Sequence, residues 1–486
     1  MKKMIFLFIS TSFVLIAWTQ NGKDPVKVTD LLKIKTIGSV TLSKDGRNAA
    51  FTVTSIEPEE NSQWEYKYVT QAWMVPTDGS AAPRQLTYSV AGASQLAWHP
   101  DGKKIAFVRT ADGKPQIFLL SLEGGEPIQL TKNKYGAFSP RFSDDGKQLL
   151  FMANIPFKDL LTDSVLNPTK ELPQWNFEKP GFSKNENLKP NTAKADPDGS
   201  IEQVRAYLDN NEKDRKAKVI TKLQFQEEST TSSDLTFTHV YIMDADPAAK
   251  PKCLTKGFNT YFNPQFINGT NQILMEADVN DSQHTDRTLE SQVYIMNNDG
   301  TGCRKLLGKD NYTYTNAFIS PSGKTIALQH GATSFVSIPT LAIMPVNGAE
   351  KDLINIPFDR TKGAIQWTAD EKYLYFTAQS NGGVTLNRVD MQTRKVETLS
   401  DFNAGVGSYS QANDKIVFVK TEVANPFDLY VSDAAGKNAK RISSFNYDWV
   451  KDKKLSFPEK LEFTNDKGMK VEYWVMKPLN LSLIHI

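Results

Sequence analysis

The sequence predicts an all-β fold, a seven-bladed β-propeller with four-stranded blades. Three observations support this prediction: a short segment that joins a tight turn to an apolar strand, the recurrence of that segment along the chain, and an ordinary globular composition. The chain has 486 residues, of which 40% are hydrophobic and 23% charged. That composition is typical of a globular protein, and the length suffices for a large core.

The clearest copy of the repeated segment begins at Trp98. Its Asp101-Gly102 pair is a strong turn signal, because glycine adopts the positive φ that such turns need. The following run, Ile105 to Val108, is apolar at every position, which is typical of a strand covered on both faces. Two more strand-like runs, 116–120 and 128–131, complete a predicted four-stranded sheet.

The same combination of turn and strands occurs seven times. The turns are marked by Gly46, Gly102, Gly146, Gly269, Gly323, Glu371 and Asp414. Most intervals between them are close to the ~40–50 residues of a propeller blade, and the longest contains an insertion. A ring is favoured over an open array or two stacked sandwiches, because a ring leaves only short, protected strand edges. We therefore expect the propeller to span residues 28–445.

Residues 155–235 interrupt the third blade and are predicted to be partly helical. The stretch 184–194 is rich in Asn, Lys and Pro and predicts a loop, whereas Ser200 to Gln203 form a capping box. The predicted helix carries apolar side chains on one face: Ile201, Val204 and Leu208. Arms that project from propellers often form edges of binding sites, although a plain surface loop stays an alternative here.

Charge and targeting signals limit the function. With 57 basic and 55 acidic residues the formal charge is +2, which gives no electrostatic reason to expect a nucleic-acid partner or a polybasic membrane contact. Residues 1–20 have two lysines before an apolar run and are typical of a secretory signal, which predicts a secreted or periplasmic protein. An uncleaved anchor stays open. The two cysteines, Cys253 and Cys303, end neighbouring blades, and the fold is not expected to depend on a disulfide.

Residues 455–480 differ from the repeats. They alternate about an Asp466-Lys467-Gly468 turn and predict a hairpin that starts a new domain. The last six residues, 481–486, look like a translated sequencing adapter, so we expect a truncated reading frame.

Three stretches of the chain resemble the prolyl oligopeptidase family of serine peptidases, in particular secreted bacterial dipeptidyl-peptidases and acylaminoacyl-peptidases. They are Thr29–Leu32 leading to Val40–Gly46, Lys218–Phe225 running on to His239–Asp244, and the Pro458–Pro478 hairpin. The resemblance spans about residues 28–480. It implies a propeller that caps an α/β-hydrolase domain, with peptide substrates between the two domains.

The resemblance places the catalytic serine, aspartate and histidine in the hydrolase domain, of which only the first hairpin, 455–480, is present. No Gly-x-Ser-x-Gly motif occurs in the sequence, and Ser408 after Gly407 lacks the flanking pattern. We therefore expect no catalytic residue in this chain and no cofactor. The implied partners are peptide substrates and the protein's own C-terminal domain, and a homodimer is left open. The implied chemistry is acyl transfer through a serine ester.

The resemblance also implies a carboxylate that holds the substrate's free ammonium, since a desolvated charge must be paired. Glu227 and Glu228, at the end of the insertion, are the candidate substrate-binding pair, and a solvated turn is the alternative. Weaker candidates on the insertion are Glu171, Glu178 and Glu202.

The five histidines show neither a metal-ligand spacing nor a nearby nucleophile: His99, His239, His284, His330 and His485. His99 is interpreted as a turn residue and His239 as structural. Two other functions are alternatives to a serine peptidase. A non-catalytic periplasmic propeller similar to TolB would place a separate domain before the ring, but only a short segment precedes the first blade here. A propeller glycan lyase or hydrolase would need a metal cluster or paired carboxylates.

Overall fold

The computed structural model describes residues 23–62, 64–176, 184–213, 220, 222–223, 234–334, 336–400 and 404–479. The chain is mostly β-sheet, and seven sets of four consecutive strands form antiparallel sheets, which we number units 1 to 7. Units 1 to 5 are separate sheets, whereas units 6 and 7 are joined by one parallel pair, Val384 with Gly405. The prediction of four-stranded antiparallel sheets is confirmed.

The strands of each unit follow one another in the sequence. Unit 1 comprises Thr36–Leu42, Asn48–Pro58, Tyr66–Pro76 and Arg84–Gln85; unit 2 Ser94–Trp98, Lys104–Ala111, Lys114–Ser121 and Ile128–Gln129; unit 3 Phe138–Phe142, Gln148–Pro156, Thr236–Asp244 and Lys252–Cys253; unit 4 Thr260–Ile267, Gln272–Asp278, Gln292–Asn297 and Arg304–Leu307. Unit 5 comprises Tyr312–Ile319, Thr325–Ala332, Thr340–Pro345 and Ile354–Ile356; unit 6 Lys362–Trp367, Tyr373–Ser380, Gly383–Asp390 and Val396–Thr398; unit 7 Gly405–Ala412, Lys415–Glu422, Asn425–Asp433 and Lys440–Arg441.

The turns between the first two strands of each unit have the predicted chemistry. Gly146 has a φ of 72° in the turn of unit 3, where only glycine fits easily. In unit 1 the Asp45 carboxylate accepts hydrogen bonds from Ser43 Oγ at 2.6 Å and from the Arg47 N–H at 3.0 Å, and these bonds lower the pKa of Asp45. In unit 7 the residue with positive φ is Asn413, at 52°, rather than the neighbouring Asp414.

Every unit has a register shift in its first strand, and side chains near these shifts bind the next unit. Gln95 Oε1 of unit 2 accepts a hydrogen bond from the Ser139 N–H of unit 3 at 2.6 Å. The last and first units are linked in the same way, because Ser408 Oγ accepts from the Val40 N–H at 2.8 Å. The side chain of Trp98 links units 1 and 2 through a bond from its Nε1 to the Thr41 carbonyl at 3.1 Å.

The core lies between neighbouring sheets. One buried cluster joins Phe51 of unit 1 to Val417 and Leu429 of unit 7, so the two ends of the repeat array share a core. The second strands supply many of the largest fully buried side chains, such as Phe107 and Phe151, as their uninterrupted apolar runs predict.

The remaining elements lie outside the seven sheets. The helices are α1 (Phe157–Thr162), α2 (Ile201–Lys213) and α3 (Tyr447–Val450), with 3₁₀ turns at Val28–Lys33, Glu186–Leu188, Thr285–Arg287 and Glu350–Asp352. Asp24–Pro25 pairs with Lys453–Lys454 in parallel, and Glu459–Thr464 pairs with Lys470–Val475 in the hairpin that the sequence predicts.

Helix α2 confirms the capping box, and Ile201, Val204 and Leu208 share one face of it, as the sequence predicts. The Gln203 N–H donates to Ser200 Oγ at 3.4 Å, and Gln203 Oε1 accepts from the Ser200 N–H at 2.9 Å. Ile201 and Leu208 are exposed, however, whereas Ala206 is buried. Burial on this helix is therefore centred on residues 203–206.

One face of the array collects all its long connections. Because successive strands run antiparallel, the connection between the second and third strands emerges where the first strand begins. We call this side the insertion face; it holds the described residues of the insertion (157–176, 184–213, 220, 222–223 and 234–235), the segments before unit 1 and after unit 7, and the hairpin. The hairpin's Trp474 contacts the turn of unit 6, where a Cβ on Gly382 would lie 2.7 Å from the Trp474 ring.

Cys253 is half-buried and Cys303 exposed, and neither forms a disulfide. No helix in the part of the chain that the structure describes is long and apolar enough to cross a membrane. The predicted signal segment, 1–20, and residues 481–486 lie outside the described residues.

Candidate functional site

The insertion is fixed at both ends to unit 3. The two strands that lead into and out of it stay paired up to Pro156 and Thr236. One residue further, the Phe157 N–H donates to the Leu235 carbonyl at 2.8 Å. Helix α1 begins at this point, so its side chains take defined positions above the sheet.

An aromatic cluster forms where the insertion meets unit 4. The Phe157 ring lies 5.5 Å from Trp175 and 5.7 Å from Phe258, measured between ring centroids. Trp175 lies 4.3 Å from the imidazole of His284, which comes from the connection between the second and third strands of unit 4. Aromatic rings at such distances attract each other beyond simple burial. The cluster therefore joins two units on the insertion face.

A cavity of about 600 Å³ opens beside this cluster. Its apolar lining includes Phe157, Leu161, Trp175, Leu188 and Leu235. We call it the aromatic cavity. Its size and its mixture of aromatic walls with few polar groups are typical of a small-ligand site.

Asn185 holds the segment that carries Trp175. Its backbone is left-handed, with a φ of 59°, a conformation that asparagine tolerates better than most residues. Its side-chain Nδ2 donates to the Pro173 carbonyl at 3.1 Å and to the Trp175 carbonyl at 3.0 Å. The side chain is buried, so these two bonds fix the loop without access of water.

His284 is a neutral donor at the cavity wall. Its Nδ1 accepts a hydrogen bond from the Asp286 N–H at 3.2 Å, which leaves the proton of the neutral ring on Nε2. Burial lowers the pKa of His284 below its ordinary value, although the nearby Asp286 carboxylate opposes this effect. The imidazole is therefore uncharged at neutral pH.

The polar groups that line the aromatic cavity include acceptors as well as the basic side chain of Lys158. Asn187 Oδ1 is buried and has no hydrogen-bond partner among the described residues. Asp159 and Asp234 are exposed and also line the cavity. An unpaired buried acceptor is costly, so this oxygen is suited to a ligand that brings an N–H or O–H donor. The arrangement can hold an apolar side chain next to a donor or a cation.

A second cavity, of about 560 Å³, lies on the other side of Trp175. It is more polar and is lined by Glu171, Lys256 and Asp281 among others. Glu171 is exposed, and its Oε1 accepts a hydrogen bond from Thr169 Oγ1 at 3.0 Å. Trp175 is thus a wall shared by both cavities.

The predicted glutamates have different outcomes. Glu227 and Glu228 lie outside the described residues, as does Glu178. Glu202 is exposed in the first turn of α2, where its Oε2 accepts from Ser200 Oγ at 3.0 Å, and it lines neither cavity. Among the described candidates, only Glu171 borders a cavity.

Two histidines occupy structural positions. His99 Nε2 lies 3.2 Å from the Gly146 carbonyl in the turn of unit 3, in agreement with its interpretation as a turn residue. His239 is fully buried in the third strand of unit 3, and its Nδ1 lies 2.9 Å from Thr255 Oγ1. Burial lowers the pKa of His239 to about 4, so it is neutral in the folded protein.

Of the other histidines, His330 is bound on both sides, with Nδ1 2.8 Å from the Tyr312 hydroxyl and Nε2 2.9 Å from Asn355 Oδ1. His485 lies outside the described residues. The described part of the chain contains no group of three or more His, Cys, Asp or Glu side chains that could hold a metal ion.

Sequence reasoning missed Trp175 and His284. Trp175 stands in a polar, proline-rich stretch, and its isolation there is a signal that could have marked it as an anchor. His284 gave no such signal, because its partner comes from another unit and lies 109 positions away in the sequence.

No known family model matches the chain. In sequence it is similar to the uncharacterized peptidase YuxL of Bacillus subtilis, with 21% identity over 94% of this chain and 64% of that protein. It is also similar to dipeptidyl-peptidase 5 of Porphyromonas gingivalis, with 22% identity over 85% of this chain and 55% of that protein. The chain thus spans less than two thirds of the length of these relatives.

The structure is similar to an acylaminoacyl peptidase solved in complex with Z-Gly-Gly-Phe-chloromethyl ketone. The TM-score is 0.62 at 18% identity, over 93% of this chain and 59% of that one. The β-propeller domain of the Trilobed protease from Pyrococcus furiosus matches with a TM-score of 0.52 at 16% identity, over 85% of this chain and 99% of that domain. These likenesses show a shared propeller-type fold, and along most of its length the chain is similar in sequence to peptidases.

Proposed function

We propose that this chain is the propeller portion of a secreted serine exopeptidase of the prolyl oligopeptidase family, which releases dipeptides from the N terminus of oligopeptides. One observation carries the proposal. Nearly the whole chain, 94%, aligns with a peptidase, yet it covers only 64% of that relative. The matched acylaminoacyl peptidase is covered to a similar extent, 59%.

The seven units are proposed to close as a seven-bladed ring. Hydrogen bonds link the first strands of neighbouring units, and the bond between Val40 and Ser408 links unit 1 to unit 7. A core shared by these two units supports the same closure. Such a ring would limit access to a catalytic centre held against one of its faces.

The catalytic domain is proposed to begin with the hairpin at 455–480 and to supply the serine, histidine and acid from residues beyond it. The hairpin lies on the insertion face, against unit 6. Several of its apolar side chains are exposed, including Leu461, Phe463 and Met469. A domain that continued from the hairpin would cover them and would face the aromatic cavity across the same side of the ring.

The aromatic cavity is proposed to receive an apolar side chain of the peptide substrate. Its aromatic walls suit such a group, and the unpaired Asn187 Oδ1 suits a peptide N–H. We propose Glu227 and Glu228 as the carboxylates that hold the substrate ammonium. Asp159 and Asp234 at the cavity are the competing pair.

The test starts by reading the gene beyond residue 480 and expressing the extended protein. We expect a Gly-x-Ser-x-Gly motif in the added sequence and release of chromophore from dipeptidyl anilides, with none from residues 1–480 alone. A continuing frame without a serine elbow, or turnover by the shorter chain, would contradict the proposal.

Paired variants of the extended protein identify the ammonium site. Glu227→Gln with Glu228→Gln should raise KM for free dipeptidyl anilides and leave N-acetylated substrates unaffected, because only the former carry the charge. Asp159→Asn with Asp234→Asn is the matched control. If only the control pair raises KM, the ammonium lies at the aromatic cavity instead.

A non-catalytic, protein-binding propeller similar to TolB is the second candidate. The exposed apolar hairpin would then be its docking surface. A natural stop codon shortly after the ring, together with recovery of an envelope lipoprotein by the purified chain, would favour this function over the first.

A further inference from the structure

Unit 1 carries a projecting hairpin that no other strand covers. Its second and third strands pair from Asn48 opposite Pro76 to Pro58 opposite Tyr66. The first strand of the unit stops pairing at Thr54, and the fourth pairs only with Trp73 and Met74. Residues 55–62 and 64–69, which we call the arm, thus extend beyond the first and fourth strands of the unit.

The outer edge of the arm presents unpaired backbone groups. The Glu59 N–H donates to the Glu65 carbonyl at 2.9 Å, so the backbone groups of Glu65 face the second strand, Asn48–Pro58. In an antiparallel pair the facing direction alternates, so Tyr66, Tyr68 and Thr70 face outward. The hydrogen bond that the Thr70 carbonyl accepts from the Ala93 N–H at 2.7 Å shows that this carbonyl faces outward. No described residue donates to or accepts from the outward groups of Tyr66 and Tyr68 in the same way.

The aromatic and the charged side chains of this edge lie on opposite sides of the strand. Tyr66 and Tyr68 alternate along the strand and so share one side, and Trp64, two residues before the strand begins, continues this spacing; their exposed fractions are 43%, 75% and 79%. Glu65 and Lys67 lie on the opposite side. A free edge next to three exposed aromatic rings is a template for pairing with another strand, which natural proteins normally block.

Aromatic and charged side chains alternate symmetrically about Tyr66 in the sequence Trp64-Glu65-Tyr66-Lys67-Tyr68. If a second copy pairs antiparallel with the strand about a two-fold axis at Tyr66, Tyr66 faces the partner's Tyr66 and Trp64 faces the partner's Tyr68. Glu65 then faces the partner's Lys67, and the symmetry repeats that ion pair. The register agrees with the backbone, because the outward residues are those that would exchange hydrogen bonds.

We propose that two copies of this chain associate through their arms, forming one four-stranded antiparallel sheet across the two-fold axis. Three aromatic pairs on one side and two ion pairs on the other make the contact self-complementary. A contact of this kind is isologous, so it closes at a dimer and uses the outer edge of both arms. The inference does not depend on the proposed peptidase activity, because the arm belongs to the ring.

Charge reversal tests the register by sedimentation velocity over a range of concentrations. Glu65→Lys and Lys67→Glu should each raise the dimer dissociation constant about tenfold or more, because each variant opposes like charges twice across the axis. The double variant E65K/K67E should restore the dimer, since the pairs are then reversed but still opposite. A monomeric wild-type chain, or single variants that dimerise as well as the wild type, would overturn the proposal.

Glu57→Lys is the matched control. Glu57 is exposed and lies opposite Lys67 within the same arm, so this change opposes like charges inside one copy without touching the proposed contact. We expect it to leave the dimer intact. If Glu57→Lys dissociates the dimer as strongly as Lys67→Glu, the effect comes from the folding of the arm and the proposed register is wrong.

A covalent trap gives a second readout. Glu65 and the partner's Lys67 would form a non-hydrogen-bonded pair, in which the Cα atoms lie about 4.5 Å apart, within the range of a disulfide. Glu65→Cys with Lys67→Cys, in a Cys303→Ser background, should therefore cross-link two chains under oxidising conditions. Absence of cross-linking beyond that of the Cys303→Ser chain would contradict the proposed pairing.

Discussion

Units 1 and 3 use the same connection in opposite ways. In both, the chain leaves the sheet between its second and third strands on the insertion face. In unit 1 it forms a short hairpin arm on which Trp64 is 79% exposed. In unit 3 it makes a long excursion that returns onto the sheets, and Trp175 is only 6% exposed between two cavities.

The repeated sheet therefore determines where a connection emerges, and the sequence of the connection determines the structure that it forms. Asn185 and helix α1 bring the insertion of unit 3 back against unit 4, where Phe258 and His284 complete its packing. The arm of unit 1 has only a few residues between its strands, so its backbone continues the ladder into solvent. A concave surface results in one case and an open strand edge in the other.

The two tryptophans should differ strongly in their contribution to the free energy of unfolding. Trp175→Ala should lower the free energy of unfolding by about 4 kcal/mol, because it empties a buried aromatic site. Trp64→Ala should change it by less than about 0.5 kcal/mol, as is usual for exposed side chains. Urea unfolding followed by circular dichroism measures both values, and similar costs at the two positions would contradict the assigned burial.

A smaller effect concerns acid stability and uses a position that both units share. In unit 1 the Thr87 hydroxyl donates to Gln71 Oε1 at 2.7 Å, and in unit 3 His239 occupies the corresponding place next to Thr255. Because burial lowers the pKa of His239 to about 4, the unfolded chain takes up this proton at a higher pH than the folded chain. The contribution of His239 to the free energy of unfolding should thus be fully present above about pH 6.5. It should fall by up to about 3 kcal/mol as the pH drops to about 4.

His239→Gln should remove that part of the pH dependence, since it installs the side chain of unit 1. The reciprocal change, Gln71→His, should introduce acid sensitivity into unit 1. Urea unfolding at pH 7 and pH 4.5 measures both. An unchanged slope of stability against pH in His239→Gln would show that other groups cause the acid response.

The smallest effect concerns Asn185. Asn185→Ala should cost about 2 kcal/mol, because it removes two buried hydrogen bonds and places alanine in a left-handed conformation. Asn185→Gly keeps the conformation accessible and should cost about half as much. Thermal unfolding, with limited proteolysis of residues 157–235, checks the order. A glycine variant less stable than the alanine variant would contradict the role assigned to the backbone.

Local signals predicted the repeated fold well. Each Asp-Gly or equivalent turn lies where the sequence placed it, because the turn depends on a few neighbouring residues such as Ser43 and Asp45. The capping box at Ser200 and the hairpin about Gly468 were also local, and the structure contains both. The exchange of hydrogen bonds between units was not predictable, since Gln95 and Ser139 belong to different repeats.

The candidate site was harder to predict for the same reason. Trp175, Phe258 and His284 are distant in sequence and meet only after units 3 and 4 stack. Ile201, Val204 and Leu208 share one face of α2, as the sequence predicts, but Ile201 and Leu208 are exposed on it. Periodicity shows which side of a helix is apolar, but whether that side is covered depends on tertiary contacts.

The segment before unit 1 meets the segment after unit 7. Asp24–Pro25 pairs with Lys453–Lys454, and the buried carboxylate of Asp30 binds Lys33 at 2.7 Å and Lys453 at 3.0 Å. These bonds hold the pKa of Asp30 well below its usual range. Each unit is built from one continuous stretch of chain, so the covalent order of the units is separable from their packing. A circular permutant that joins residue 454 to residue 24 and opens a link between two other units should preserve the seven four-stranded units.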